Sequence, residues 1–319
     1  FIDLAQEMGR VSRALGVVTG DAQLTVDVET MPPLTWVLSA IDHAFRGHLA
    51  PAASPMPVSI APVPMRWRAR SRTIQPRALI LHANGTNRDR DAGLAVTQAG
   101  GAFEIVHVNQ LAQGARRIGD YQMLILPGGF SYGDDLGAGV LWALDVRQRF
   151  ADDLGVFIDS GRPVLGICNG FQTLVRAGLL PGDVPTRDVT LAHNAGGRFE
   201  CRWVTLLPNP ASPCPFTDGL TEAIACPVAH GEGRIATAAP DVLTRLASDG
   251  LIPLTYSGSA YPLNPNGSAG DIAALTNRAG NLLGLMPHPE NHIFPWQHPT
   301  WRRGVHGGDG LRLFENMVK

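Results

Sequence analysis

PVLGICNGFQTLVRAG (residues 163–178) decides how this chain reads. The apolar run PVLGI has the length of a buried strand, and FQTLVRAG has helical spacing. Between them lies GICNG (166–170), the pattern of a strand–elbow–helix turn with Cys168 at its tip. Such a turn lifts one side chain out of the sheet. The flanking glycines leave room for a tight backbone, and the helix N-terminus behind it offers N–H groups and a positive dipole end that favour thiolate over thiol.

Upstream, RALILH (77–82) reads as a buried parallel strand, FEIVHV (103–108) as a second strand and MLILPGG (123–129) as a third that ends in a Gly turn. A helix-like stretch near 91–99 and a long one from LGAG to IDSG (136–161) separate strands. Strands alternating with helices imply an α/β fold: a mostly parallel central sheet with helices on both faces. Beyond about residue 185 the pattern turns antiparallel, as in RFECRWVTLL (198–207). Residues 50–76 hold six prolines, five of them in PAASPMPVSIAPVPM (51–65), and Arg66, Arg68, Arg70 and Arg72, and read as a linker. Residues 1–49 form a small N-terminal appendage with a strand over 21–28 and an amphipathic helix over 34–45. The domain division is therefore 1–49, 50–76 and 77–319. The chain opens on Phe1, which suggests a piece of something longer.

Composition removes whole classes of function. With 45% hydrophobic and 17% charged residues, the chain can build a core. A net charge of −2 supplies no positive field for nucleic acid or an anionic membrane. No apolar run reaches the roughly 18 residues of a membrane helix. Lys319 is the only lysine. A phosphate-binding loop, a kinase strand and a Schiff-base enzyme each need a lysine in a specific place, so the chain is not expected to run ATP or pyridoxal chemistry itself. Cys168, Cys201, Cys214 and Cys226 form no CxxC pair. Without a visible export signal they read as reduced thiols of a cytoplasmic protein, and no metal site is expected.

A thiol nucleophile needs a base, and the base needs an acceptor to orient it. MPHPE (286–290) supplies both: His288 and Glu290, two apart in extended chain, point the same way. LPGGFSYGD (126–134) read alone is an ordinary turn. Beside an elbow, Gly128 or Gly129 can donate one N–H to an oxyanion and Asn169 another. Together these parts describe acyl transfer through a thioester and name no substrate.

GICNGFQ followed by MPHPE resembles the class I glutamine amidotransferases. PGGFSYGDDLGAG, NAGGRFECRWV (194–204), PVAHGEGR (227–234), YPLNPNGSAGDIAAL (261–275) and GLMPHPE are similar, in order, to the glutaminase component of phosphoribosylformylglycinamidine synthase. The resemblance runs from about residue 77 to 319. It implies the class I amidotransferase fold, hydrolysis of L-glutamine to glutamate and ammonia, and a triad of Cys168, His288 and Glu290. It also implies an oxyanion hole from Gly128, Gly129 and Asn169, and Gln172, Asn194, Gly197 and Phe199 near the bound glutamine. Ammonia would pass to a synthetase component, with a third small subunit in some assemblies. ATP and magnesium would sit on that partner, with no cofactor in this chain. Two departures stand out: Asp135 and Gly137 replace a Tyr and an Arg of the small free-standing glutaminases, and the tail HIFPWQHPTWRRGVHGGDG (292–310) is long. EMGRVSRALGVVTGDAQLTV (7–26) resembles the C-terminal end of the synthetase component. The competing readings are the glutaminase of another class I amidotransferase, a cysteine peptidase of similar fold, and an inactive scaffold.

Overall fold

The computed structural model describes residues 20–28, 31–41, 75–182, 188–303 and 309–319. The chain divides into two compact units between Leu49 and Ala50. In the first, β1 (Gln23–Val28) pairs antiparallel with β2 (Met31–Val37), and the Thr25 and Thr35 hydroxyls meet at 3.1 Å. This corrects the first part of the helix expected over 34–45, while residues 38–41 are helical as expected. Through Val37 that stretch is strand, because ladder bonds to β1 outweigh its helical spacing and Thr35 and Val37 are β-branched. Residues 42–45, the linker as far as 74, the arginine strip and the stretch 1–19 lie outside the described residues.

The second unit is built on a nine-stranded sheet. β3 (Arg77–His82) lies between β4 (Ala102–His107) and β5 (Met123–Leu126). β5 pairs with β6 (Val164–Ile167), and β6 with β13 (Leu282–Leu285). All four of these pairings are parallel. From β13 the sheet continues antiparallel through β12 (Ile272–Thr276), β11 (Leu254–Tyr256), β8 (Glu200–Pro208) and β9 (Ile224–His230). β7 (Val189–His193) and β10 (Glu232–Thr237) form a separate antiparallel pair. Every residue of β5, β6, β12 and β13 is buried, which explains their continuous apolar runs.

Two groups of helices cover the parallel half. α1 (Asp89–Gln98) and the C-terminal α7 (Leu311–Val318) pack together, with α1 against β3 and β4. α5 (Asn169–Arg176) packs on β5, β6 and β13 and against α3 (Val140–Arg149). α2 (Val108–Ala112) follows β4, and α6 (Pro240–Ser248) follows β10. The long helix expected over 136–161 is two: α3 stops at Phe150 (φ −131°, ψ 9°), and α4 (Ala151–Asp159) begins after it. Residues 136–139 precede both as a turn with positive φ at Leu136, Gly137 and Gly139. Trp142, Val146, Phe150, Leu154 and Phe157 all point inward at helical spacing, so periodicity alone could not show the break. No helix among the described residues is long and apolar enough to cross a membrane.

Candidate active site

Strand register assembles the site. In the parallel ladder Leu126 stands opposite Gly166, and Leu285 opposite Ile167. The chain leaving β5 (Gly128-Gly129), β6 (Cys168) and β13 (His288) therefore emerges at one sheet end, from three adjacent strands. That carboxyl end is where open α/β sheets place their ligand sites.

Cys168 is held in a backbone conformation that L-residues rarely adopt, with φ 49° and ψ −103°. Its N–H donates to Leu285 O at 2.8 Å, and its carbonyl accepts from Gln172 N–H at 3.0 Å. The turn closes this tightly only because of glycine. A Cβ on Gly170 would lie 1.9 Å from Leu126 O, and one on Gly166 2.5 Å from Leu174 Cδ1. Asn169, the first residue of α5, has its N–H where no intrahelical acceptor exists. Its side chain joins the elbow to the Gly-Gly segment: Oδ1 accepts from Ser131 N–H at 3.0 Å, and Nδ2 donates to Asp134 at 2.9 Å and Gln172 at 3.1 Å. Burial raises the Asp134 carboxyl, with Asn169 pulling partly the other way.

His288 and Glu290 are both buried, and Nδ1 lies 2.6 Å from Oε1. His288 Nε2 and Glu290 Oε2 have no hydrogen-bond partner among the described residues. A Cβ on Gly128 would meet His288 Cε1 at 2.7 Å, so the Gly-Gly turn lies directly against the imidazole. Burial works against a charged ring, but Glu290 and then Cys168 more than offset it and push the imidazole up to about 10. Because the shift is upward, the charged ring is fully present below its ordinary value and is lost only as pH rises through about 10. An imidazolium beside the sulfur places a positive charge next to the nucleophile. Glu290→Gln removes the strongest influence holding that proton. Alkylation of Cys168 by iodoacetamide at pH 7 is expected to slow by about tenfold in this variant. An unchanged rate would mean that the carboxylate does not hold the ring charged.

A pocket of about 210 Å³ opens at Cys168. Of the residues expected near substrate, Gln172 and Phe199 line it, as does Gly129. Gln172 Nε2 donates to the Glu232 carbonyl, and Phe199 faces Phe130 with ring centroids 6.5 Å apart. Asn194 and Gly197 are not in the lining. The Asn194 amide is fully engaged by Arg198 O, His230 O, His230 Nδ1 and Gly233 N–H, and Gly197 sits in the turn that follows, at φ 64°. Asn194 thus shapes the wall from behind. The lining also contains His193, Ala229, His230 and Glu232, none of which stood out in the sequence as a separate site residue. The signal was the HGEGR stretch (230–234), whose residues surround the β9–β10 turn. Glu232 is held by Arg176 at 3.1 Å through Oε2, and its Oε1 lies 3.8 Å from His193. The other three cysteines are free. Cys201 is exposed, while Cys214 and Cys226 are buried with their thiols pushed up by burial.

A strained cysteine elbow with a buried His–Glu pair just beyond the end of the neighbouring parallel strand is the arrangement expected of a glutamine amidotransferase domain. Residues 75–319 match the model of the CobB/CobQ-like glutamine amidotransferase domain. Phosphoribosylformylglycinamidine synthase subunit PurQ of Treponema denticola is 47% identical over 242 residues, covering 69% of this chain and 89% of the relative. The same subunit of Dehalococcoides mccartyi is 43% identical over 252 residues, covering 76% and 96%. Among solved structures, PurLQS from Thermotoga maritima matches with a TM-score of 0.60 and 34% identity over 77% of this chain and 98% of that one. The chain belongs to the CobB/CobQ-like glutamine amidotransferase family, with the PurQ subunits of phosphoribosylformylglycinamidine synthase.

Proposed function

We propose that this chain hydrolyses L-glutamine and supplies the ammonia for formylglycinamidine ribonucleotide synthesis in purine biosynthesis. The observation that carries the reading is the buried His288–Glu290 pair beside Cys168, which itself lines the pocket. The Cys168 thiolate attacks the carboxamide carbon. The tetrahedral oxyanion is met by N–H groups of the Gly128-Gly129 turn and Asn169. His288 gives its proton to the departing nitrogen, the C–N bond breaks, and ammonia leaves a γ-glutamyl thioester. His288 then takes a proton from water, which attacks the thioester; the C–S bond breaks, glutamate leaves, and the thiolate and protonated imidazole are restored. Glu290 keeps the imidazole oriented throughout. Gln172 and Phe199 form pocket wall around the substrate chain, and Glu232 offers a carboxylate suited to its α-ammonium group.

Ammonia then passes to a synthetase component, where ATP and magnesium activate the formamide oxygen of the acceptor ribonucleotide. The near absence of lysine supports placing the ATP chemistry on that partner, and the PurLQS match supports a multi-subunit assembly that includes a third small subunit. Purine biosynthesis by the named relatives supports a cytoplasmic location. The test is glutamate release from glutamine, by the chain alone and with the synthetase, ATP and formylglycinamide ribonucleotide. Release that rises with the complete mixture is the expected result. No release in either mixture overturns the proposal, and stimulation by a different acceptor synthetase assigns the chain to another amidotransferase.

A further inference from the structure

His230 lines the pocket, is 2% exposed, and has one ring nitrogen without a partner among the described residues. Which nitrogen carries the proton follows from Asn194. The Asn194 Nδ2 faces two backbone carbonyls, Arg198 O at 2.9 Å and His230 O at 2.8 Å. Its Oδ1 faces the Gly233 N–H at 3.2 Å. The amide can therefore stand only one way round, and Oδ1 is an acceptor for His230 Nδ1 at 3.1 Å. Nδ1 must donate, so in the neutral ring Nε2 carries a bare lone pair. The ring cannot turn away easily, since Gly233 approaches so closely that a Cβ there would lie 2.3 Å from Cε1. Burial, reinforced by nearby His288, depresses the imidazole to about 3, which keeps it neutral at any physiological pH. The next residue along the wall, Ala229, has its carbonyl 3.8 Å from Cys168 Sγ, so the ring stands one residue from the nucleophile's surroundings.

A buried acceptor without a donor is costly unless something supplies one. The reacting group of glutamine is a carboxamide with two N–H bonds. Glutamate has none on its carboxylate, and a γ-ester has none either. We propose that His230 Nε2 accepts a hydrogen bond from the carboxamide NH₂ of the substrate, so that the site selects an amide over an acid or an ester. The bond uses one N–H and leaves the nitrogen free to take the His288 proton as the C–N bond breaks. His230 is thus a specificity residue, and Asn194 and Gly233 set its tautomer and position. This inference rests on the glutaminase reading.

The experiment compares hydrolysis of L-glutamine and of L-glutamate γ-methyl ester by wild type, His230→Leu and His230→Gln, in the mixture where wild type turns over glutamine. His230→Leu is expected to lose about 10–100-fold in kcat/KM for glutamine and less than about threefold for the ester, with His230→Gln recovering part of the amide activity through its oxygen acceptor. Equal losses on both substrates, or no loss on glutamine, overturn the inference and leave the glutaminase reading intact. Absence of glutamate release by wild type overturns both. A Leu variant that fails to fold hands the decision to ¹⁵N NMR of Cys168→Ala, which keeps His230. There the His230 Nε2 resonance moves toward its hydrogen-bonded position on adding glutamine and stays put on adding the ester. A resonance that ignores glutamine overturns the inference.

Discussion

Cys168→Ala is expected to abolish glutamate release, a loss of at least about 10⁴-fold, because no other thiol or hydroxyl among the described residues lines the pocket. The second half of the prediction concerns stability. At φ 49° and ψ −103°, Cys168 occupies a region that costs an L-residue on the order of 1–3 kcal/mol. Glycine has no Cβ to strain, although it gives back roughly 0.5–1 kcal/mol in unfolded-chain entropy. Cys168→Gly should therefore be as inactive as Cys168→Ala and melt above it by about 2–4 °C. Calorimetry on the two variants, beside the glutamate assay, checks both halves. Residual turnover in the Ala variant would point to a different nucleophile. A Gly variant melting below Ala would mean that the elbow stores no strain.

Gly170→Ala should be the most destabilising single methyl in the domain, at about 3 kcal/mol or more. Its added carbon would sit 1.9 Å from Leu126 O and 2.5 Å from Leu126 C. These are backbone atoms of a strand paired on both sides, with β3 and β6, so they cannot move aside without breaking a ladder. Gly166→Ala should cost less, because its nearest obstacle is the end of the Leu174 side chain at 2.5 Å. Any Gly170→Ala protein that folds should also be a poor enzyme, since displacing Leu126 moves Gly128-Gly129 away from His288. Urea midpoints for the two variants test the order. A Gly170→Ala midpoint equal to or above that of Gly166→Ala would contradict the close helix–strand contact.

Parts of the molecule written in one contiguous stretch were legible. RALILH matches β3 residue for residue, and the runs at 123–126 and 164–167 were visible because a strand buried on both faces must be apolar on both; FEIVHV (103–108) falls on β4 shifted by one residue, an edge strand in which only Val106 is buried. The elbow was legible for a similar reason: two glycines two residues either side of a cysteine, between strand and helix, have few other uses. The failures came where local spacing was ambiguous. Residues 34–37 carry a helical pattern and became strand through pairing with β1, and the break at Phe150 left the buried stripe in phase.

The sequence by itself determined the chemistry available to the chain: a cysteine on a sharp turn, a histidine and a glutamate two residues apart, and a single terminal lysine that rules out several other reactions. Residue type and near spacing are local properties, so one dimension suffices to read them. Tertiary structure alone decided what meets at the site. Cys168 and His288 are 120 positions apart in sequence, and they meet because β6 and β13 pair in parallel with Ile167 opposite Leu285. The same three-dimensional pairing brings His230 and Glu232 into the pocket wall while placing Asn194 behind it. Whether a polar side chain lines a cavity or braces it depends on which backbone groups already occupy its donors and acceptors, and that is settled only when non-adjacent strands are packed.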